Sequence, residues 1–290
     1  MKINRSTILP LDKFIEYALY DKDSGYYMKK NPFGAEGDFI TAPNITRLFS
    51  EIIAIWIITF WKSIGCPKKF NLLELGAGNG EMMKVIISTL KNFPECFDNC
   101  NFLIHEKSIF LKKQQQNNLK LESVEWIDRI KKFNSYPTIF LANEFFDALP
   151  IKQFFKKSEG WVERFVDLKE IDQAKFEEQF TDIKKIEKKL NFEISKGQEI
   201  IEYSPSSFKY LKDICGVIKK NNGGLLIIDY GYLNSKMQET LQAINKHKYS
   251  NVLENIGQSD ITYNINFNIF EKYIKQFDDL NSIFSNQKKF

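Results

Sequence analysis

Residues 72–80 read LLELGAGNG. An apolar run closes on Glu74 and Leu75, and Gly76, Gly78 and Gly80 then fall on alternate positions. A stretch of helical period follows, with Met82, Met83, Val85, Ile86 and Leu90 apolar. This pattern predicts strand, tight turn and helix, the opening unit of an α/β sheet. Residues without Cβ at such a turn let backbone N–H groups and the helix start come against a ligand. The spacing is E-x-G-x-G-x-G, not the G-x-G-x-x-G of dinucleotide-binding folds, which counts against an NAD-dependent oxidoreductase. A structural Gly-rich turn with no ligand is the competing reading.

The rest of the chain extends that unit. Short apolar runs bounded by turn residues predict strands near 71–75, 101–105, 138–142 and 224–229. Helices are predicted over 80–92, 107–119 and 205–220 between them. Alternating strands and helices imply an α/β fold with a mostly parallel sheet and helices on both faces. Before it, 11–20 reads as a short helix, 21–25 as a turn, 31–43 as a loop and 44–64 as a long apolar helix. We expect an N-terminal helical extension over 1–64 and the main domain over 65–290. IKQFF and WVERFV, joined by KKSEG, make a hairpin signature over 151–166. The charged stretch 170–190 reads as a solvated insertion, so the inserted region runs over about 151–200.

Composition removes several function classes. With 43% hydrophobic and 14% aromatic residues in 290, a sizeable core is expected rather than disorder. The net charge of +4 comes from scattered pairs such as Lys112–Lys113, Lys131–Lys132 and Lys219–Lys220. No basic stripe interleaved with aromatics appears, so nucleic acid is not an expected partner. Cys96 and Cys100 are spaced C-x3-C, but the remaining cysteines, Cys66 and Cys215, form no second pair. The only histidines are His105 and His247, so no metal site is expected. Free thiols in a reducing compartment are the simpler reading. Residues 1–20 lack the apolar core of a signal peptide, and Asp12 and Glu16 argue against a transit peptide. The run IIAIWIITFW over 52–61 is shorter than the roughly 20 residues a membrane span needs, and reads as a buried helix.

In parallel sheets ligands bind beyond the carboxyl ends of the strands. The residues there are Gly76–Gly80, Glu106, Asn143–Glu144 and Asp229–Tyr230. Glu106 ends the second strand, where nucleotide-binding folds place an acid for ribose hydroxyls; one carboxylate can accept from two vicinal hydroxyls. Its competing role is a surface glutamate at a helix start. Asn143, Glu144 and Asp147 follow the strand TIFLA. Two carboxylates and an amide suit a cationic acceptor. A guanidinium, with pKa above about 12, must have its charge localised and a nitrogen aligned before it can be alkylated. Helix N-capping by Asn143 or Asp147 is the competing reading. In GDFITAP over 37–43, Gly37 permits a tight backbone, Thr41 is a candidate cap for the long helix, and Asp38 a candidate functional acid.

Glycine on alternate positions after an acid is the pattern of S-adenosylmethionine (SAM) methyltransferases. GYY (25–27), PFGAEGDFITAP (32–43), ELGAGNG (74–80), NEFFDALP (143–150), GLLIIDYG (224–231) and SDIT (259–262) occur in the order found in the MidA-like methyltransferases. The resemblance covers the chain from about residue 8 onward. It implies a Rossmann-like class I SAM-dependent methyltransferase fold. Glu74, Gly76, Gly78, Gly80 and Glu106 are then expected to bind the cofactor, with Gly37, Asp38 and Thr41 in the N-terminal signature. Asn143, Glu144 and Asp147 match the motif that faces the transferring methyl. The implied activity is arginine ω-N-methylation of a respiratory complex I subunit. Two alternatives stay open: a SAM-binding assembly chaperone that does not transfer methyl, and a methyltransferase for another acceptor. The expected location is the bacterial cytoplasm, or the mitochondrial matrix if the chain is a mature eukaryotic form. Asn44 stands where the family has an acid, and Ser50 where it has glycine. The chain ends at Phe290, where family members continue, so the final strand pair of the sheet is expected to be missing or replaced, exposing a strand edge.

Overall fold

The computed structural model of the chain describes residues 8–29, 46–130, 135–169, 173–245 and 248–290. The described chain divides into two compact units. One holds residues 27–145 and 213–229; the other holds the segments up to 26, 146–212 and 230–290.

The first unit is built on five parallel strands. Their order across the sheet is Gly223–Ile228, Thr138–Asn143, Phe70–Leu75, Cys100–His105 and Val124–Trp126. All four strands predicted from sequence are present, and Val124–Trp126 is a fifth that its three residues were too short to announce. Phe70–Leu75 lies at the centre, and every one of its residues is buried. A strand covered on both faces needs an unbroken apolar run rather than alternation, and FNLLEL supplies one apart from Asn71 and Glu74. Asn71 is satisfied in place: its Nδ2 donates to Thr138 Oγ1 at 3.1 Å, and Asn101 Nδ2 donates to its Oδ1 at 3.1 Å.

Leu75 pairs with both His105 and Ala142, and Ile228 pairs with Asn143. That register brings the carboxyl ends of four strands to one edge of the sheet. One face of the sheet is covered by the helices Arg47–Ser63 and Glu81–Leu90. Ile53, Ile57 and Trp61 from the first helix and Met83, Ile86 and Leu90 from the second share a core with Phe70, Leu72, Ile104 and Leu141. Burying each such side chain is worth about 1.5–3 kcal/mol, so this cluster dominates the unit's stability. The long helix predicted over 44–64 is capped by Thr46, whose side chain accepts from Leu48 N at 3.2 Å. The capping role expected of Thr41 therefore belongs to Thr46. Gly37, Asp38 and Thr41 lie outside the described residues.

The second unit carries an antiparallel sheet in the order Ile8–Pro10, Gly160–Asp167, Lys152–Lys157, Ile200–Tyr203. The predicted hairpin is its centre, with Lys157 opposite Gly160. The charged stretch read as a solvated insertion is largely exposed and forms the strand Lys175–Thr181, paired along its full length with Gly160–Asp167, and the helix Ile183–Leu190. Phe146, Phe208, Phe270 and Tyr273 make an edge-to-face aromatic core, with Phe208 and Tyr273 centroids 4.6 Å apart. No described helix is long and apolar enough to cross a membrane.

Candidate cofactor and acceptor site

The turn after the central strand departs from ordinary backbone at each glycine. Gly76, Gly78 and Gly80 have φ of 64°, 54° and 86°, all left-handed. Side chains with a Cβ avoid that region at a cost of roughly 1–2 kcal/mol per residue. At Gly76 space is also missing. A Cβ there would stand 2.8 Å from Cδ2 of Phe145, which follows the strand Thr138–Asn143. The Gly76 N–H donates to His105 O at 2.9 Å, tying the turn to the neighbouring strand end. Asn79 Oδ1 accepts from Glu81 N at 3.1 Å and starts the helix Glu81–Leu90. The turn is thus held by its own backbone, by Asn79 and by the neighbouring strand.

Glu74 precedes this turn. It is 2% exposed, and its Oε2 has no hydrogen-bond partner among the described residues. Burial, and then the nearby Glu106 anion, push its carboxyl up to about 8. A buried carboxyl is costly unless paired, so Glu74 stands protonated at neutral pH. Asn143 Oδ1, at the end of the adjacent strand, is likewise buried and unpartnered. An unpartnered carboxyl and an unpartnered amide oxygen, buried at the carboxyl ends of adjacent strands, suit a polar ligand that can pair with both.

Glu106 is half-buried rather than on the surface. Its Oε1 accepts from Ser108 N at 2.8 Å and its Oε2 from Gln115 Nε2 at 2.9 Å. The helix-start role weighed against it falls to Ser108, whose Oγ accepts from Leu111 N and caps Ile109–Asn118. Burial raises the Glu106 carboxyl, and the Ser108 N–H, the Gln115 amide and the Lys107 N–H work against that rise. A carboxylate offers about four acceptor sites, so capacity remains for a ligand's hydroxyls. His105 beside it is held below its ordinary value by burial, with Nδ1 3.0 Å from Ile127 O.

The motif after the strand Thr138–Asn143 is divided between the two units. Asn143 and Glu144 belong to the unit with the parallel sheet, and Asp147 to the other. Glu144 has φ of 47° and its N–H donates to Ile228 O at 2.9 Å. A left-handed glutamate is strained, and such strain persists where the surroundings impose it. Asp147 is 7% exposed, and its backbone oxygen accepts from Tyr263 N at 3.2 Å. Residues 144–151 form no helix, so neither Asn143 nor Asp147 serves as an N-cap.

Sequence reasoning missed Gln115. It is fully buried on the helix Ile109–Asn118, and it also donates to Gly78 O at 2.9 Å. Asn118 Nδ2 donates to Asn79 O at 2.8 Å from the same helix. The available signal was faint: a glutamine and an asparagine three residues apart in the polar run QQQNN.

A five-stranded parallel sheet with a left-handed triple-glycine turn and an acid on the next strand defines a Rossmann-like methyltransferase fold. The sequence profile of the family described as "Putative S-adenosyl-L-methionine-dependent methyltransferase" matches residues 52–284, and the chain belongs to that family. Its cofactor is therefore S-adenosyl-L-methionine. Protein arginine methyltransferase NDUFAF7, mitochondrial, of Xenopus laevis is 27% identical over 297 residues, covering 94% of this chain and 68% of the frog protein. The Drosophila melanogaster homolog is 28% identical, over 92% of this chain and 67% of its own. A Burkholderia thailandensis protein crystallised with S-adenosyl-homocysteine shares the fold, with a TM-score of 0.77 at 21% identity. The match covers 93% of this chain and 72% of the bacterial one.

Proposed function

We propose that this SAM-dependent methyltransferase transfers methyl to an arginine of a protein substrate, with a respiratory complex I subunit as the acceptor. The carrying observation is the similarity, over 92–94% of this chain and 66–68% of theirs, to relatives named protein arginine methyltransferase, at 26–28% identity. When bound, SAM supplies an electrophilic methyl on a sulfonium. Gly76, Gly78 and Gly80 let the turn take its left-handed course beside the cofactor, and the Glu106 carboxylate takes its ribose hydroxyls. Glu74 offers a buried carboxyl to its polar groups. Gly37, Asp38 and Thr41 are assigned to the cofactor on their motif alone. Asn143, Glu144 and Asp147 are assigned to the acceptor, where a carboxylate would localise the guanidinium charge and orient one nitrogen.

Incubating the chain with labelled SAM and candidate complex I subunits tests this, with methylarginine read by mass spectrometry. We expect label on arginine, lost in Glu144→Gln. Cofactor binding with no transfer to any subunit would instead favour an assembly chaperone, and label on another residue type a different acceptor. The cofactor site has its own test. Gly78→Val puts a branched side chain at a left-handed position and should abolish SAM binding; unchanged affinity by calorimetry would refute the site.

A further inference from the structure

We propose that Gln115 is the positioning residue that makes Glu106 selective for the cofactor's ribose hydroxyls, an inference that rests on the ribose role proposed above for Glu106. Three bonds define Gln115. Its Nε2 donates to Glu106 Oε2 and to Gly78 O, both at 2.9 Å, and its Oε1 accepts from Trp126 Nε1 at 2.9 Å. The amide orientation follows from chemistry. An indole N–H can only donate, and a backbone carbonyl can only accept. The oxygen must therefore face Trp126 and the NH₂ must face Gly78. Both amide hydrogens are then used, one on the glycine turn and one on the acid.

A single buried amide thus joins the glycine turn to the acid. Gln115 is 0% exposed, so water does not compete for its bonds. Its backbone is held as well: a Cβ on Gly80 would stand 3.4 Å from Gln115 Cα, so helix and turn are in contact. Ser108 N fixes one carboxylate oxygen of Glu106 and Gln115 fixes the other. With both oxygens held from the protein side, the carboxylate plane cannot rotate. A fixed plane is what lets one carboxylate accept from two neighbouring hydroxyls at once. A free one would accept from either singly and discriminate poorly. Gln115 touches no reacting atom in this scheme; it acts through Glu106 and through Gly78.

The test compares S-adenosylhomocysteine with its 2′-deoxy counterpart by calorimetry, on the full chain. Wild type should prefer the hydroxylated ligand by about tenfold or more, the scale of one hydrogen bond to a charged group. Gln115→Met keeps the volume and removes all three bonds, and should shrink that preference to about threefold or less. A simple loss of packing would lower affinity for both ligands equally and leave the ratio intact. Should Gln115→Met fail to fold, Trp126→Phe removes only the bond that orients the amide and should give an intermediate ratio. A wild-type ratio in whichever of these variants folds overturns the role of Gln115 alone. A wild type that does not distinguish the two ligands overturns the ribose role of Glu106, and this proposal with it.

Discussion

At Gly76 two constraints coincide, a φ of 64° and a Phe145 ring carbon 2.8 Å from where a Cβ would lie. Gly76→Ala should therefore cost about 1–2 kcal/mol from the backbone alone, with displacement of the ring added. Urea unfolding checks this, and an unchanged midpoint would show that the turn relaxes freely. Glu74 makes a second prediction, in pH. Its carboxyl stands at about 8 in the folded chain against an ordinary 4.5. Between those values the unfolded chain is ionised there while the folded one keeps its proton. Stability from this group is thus complete below about 4.5 and declines as pH rises toward 8, by at most about 1.4 kcal/mol per pH unit. Glu74→Gln is neutral in both states and removes that slope. The ligand-free variant should gain on wild type steadily from pH 5 to 8 in chemical denaturation, and parallel curves would refute a buried, protonated Glu74. The acids were legible in the sequence because strand ends can be located from apolar runs. Gln115 was not, because a buried glutamine in a run of polar residues looks like a solvated helix face until the packing shows what it bridges.

The helix Ile109–Asn118 shows how one element serves both stability and the site. Ser108 Oγ donates to Tyr27 O at 2.7 Å and accepts from Leu111 N at 3.1 Å, while Ser108 N holds Glu106. Ser108→Ala deletes the first two and spares the third. We expect a loss of about 1–2 kcal/mol in stability, but cofactor affinity within about threefold of wild type. A larger drop in affinity would mean that the hydroxyl, and not the backbone N–H, fixes the acid. Elements of regular pattern were readable before the structure: the helix from Arg47 and the strand from Phe70 begin within a few residues of their predicted starts. The strand Lys175–Thr181 was hidden because both its apolar residues, Phe176 and Phe180, are exposed, at 37% and 67%. An edge strand with little to bury carries no hydrophobic alternation for a sequence to display.

At the scale of the molecule, the strands of the parallel sheet were legible because most of their unit comes from one continuous stretch, 27–145, closed by 213–229, although its bounds differ from the expected 65–290. The other unit collects three separate segments, and local periodicity cannot announce which distant strands will pair. Glu74, Gly76, Gly78, Gly80 and Glu106, proposed above to hold the cofactor, all fall within the sheet unit, which leads to a prediction about how that unit responds to ligand. A ligand that binds only the folded form, at a hundred times its Kd, stabilises by about 2.7 kcal/mol. Amides of this unit that exchange only through global opening should then slow by about a hundredfold, since every 1.4 kcal/mol is a factor of ten. S-adenosylhomocysteine should produce that slowing in the buried strand Phe70–Leu75. It should also newly protect amides of the Gly76–Gly80 turn and of 106–119, where the turn, the acid and the helix are joined through Gln115. Hydrogen exchange with mass spectrometry resolves these segments. Protection that left 76–80 and 106–119 unchanged at saturating ligand would place the cofactor away from this end of the sheet.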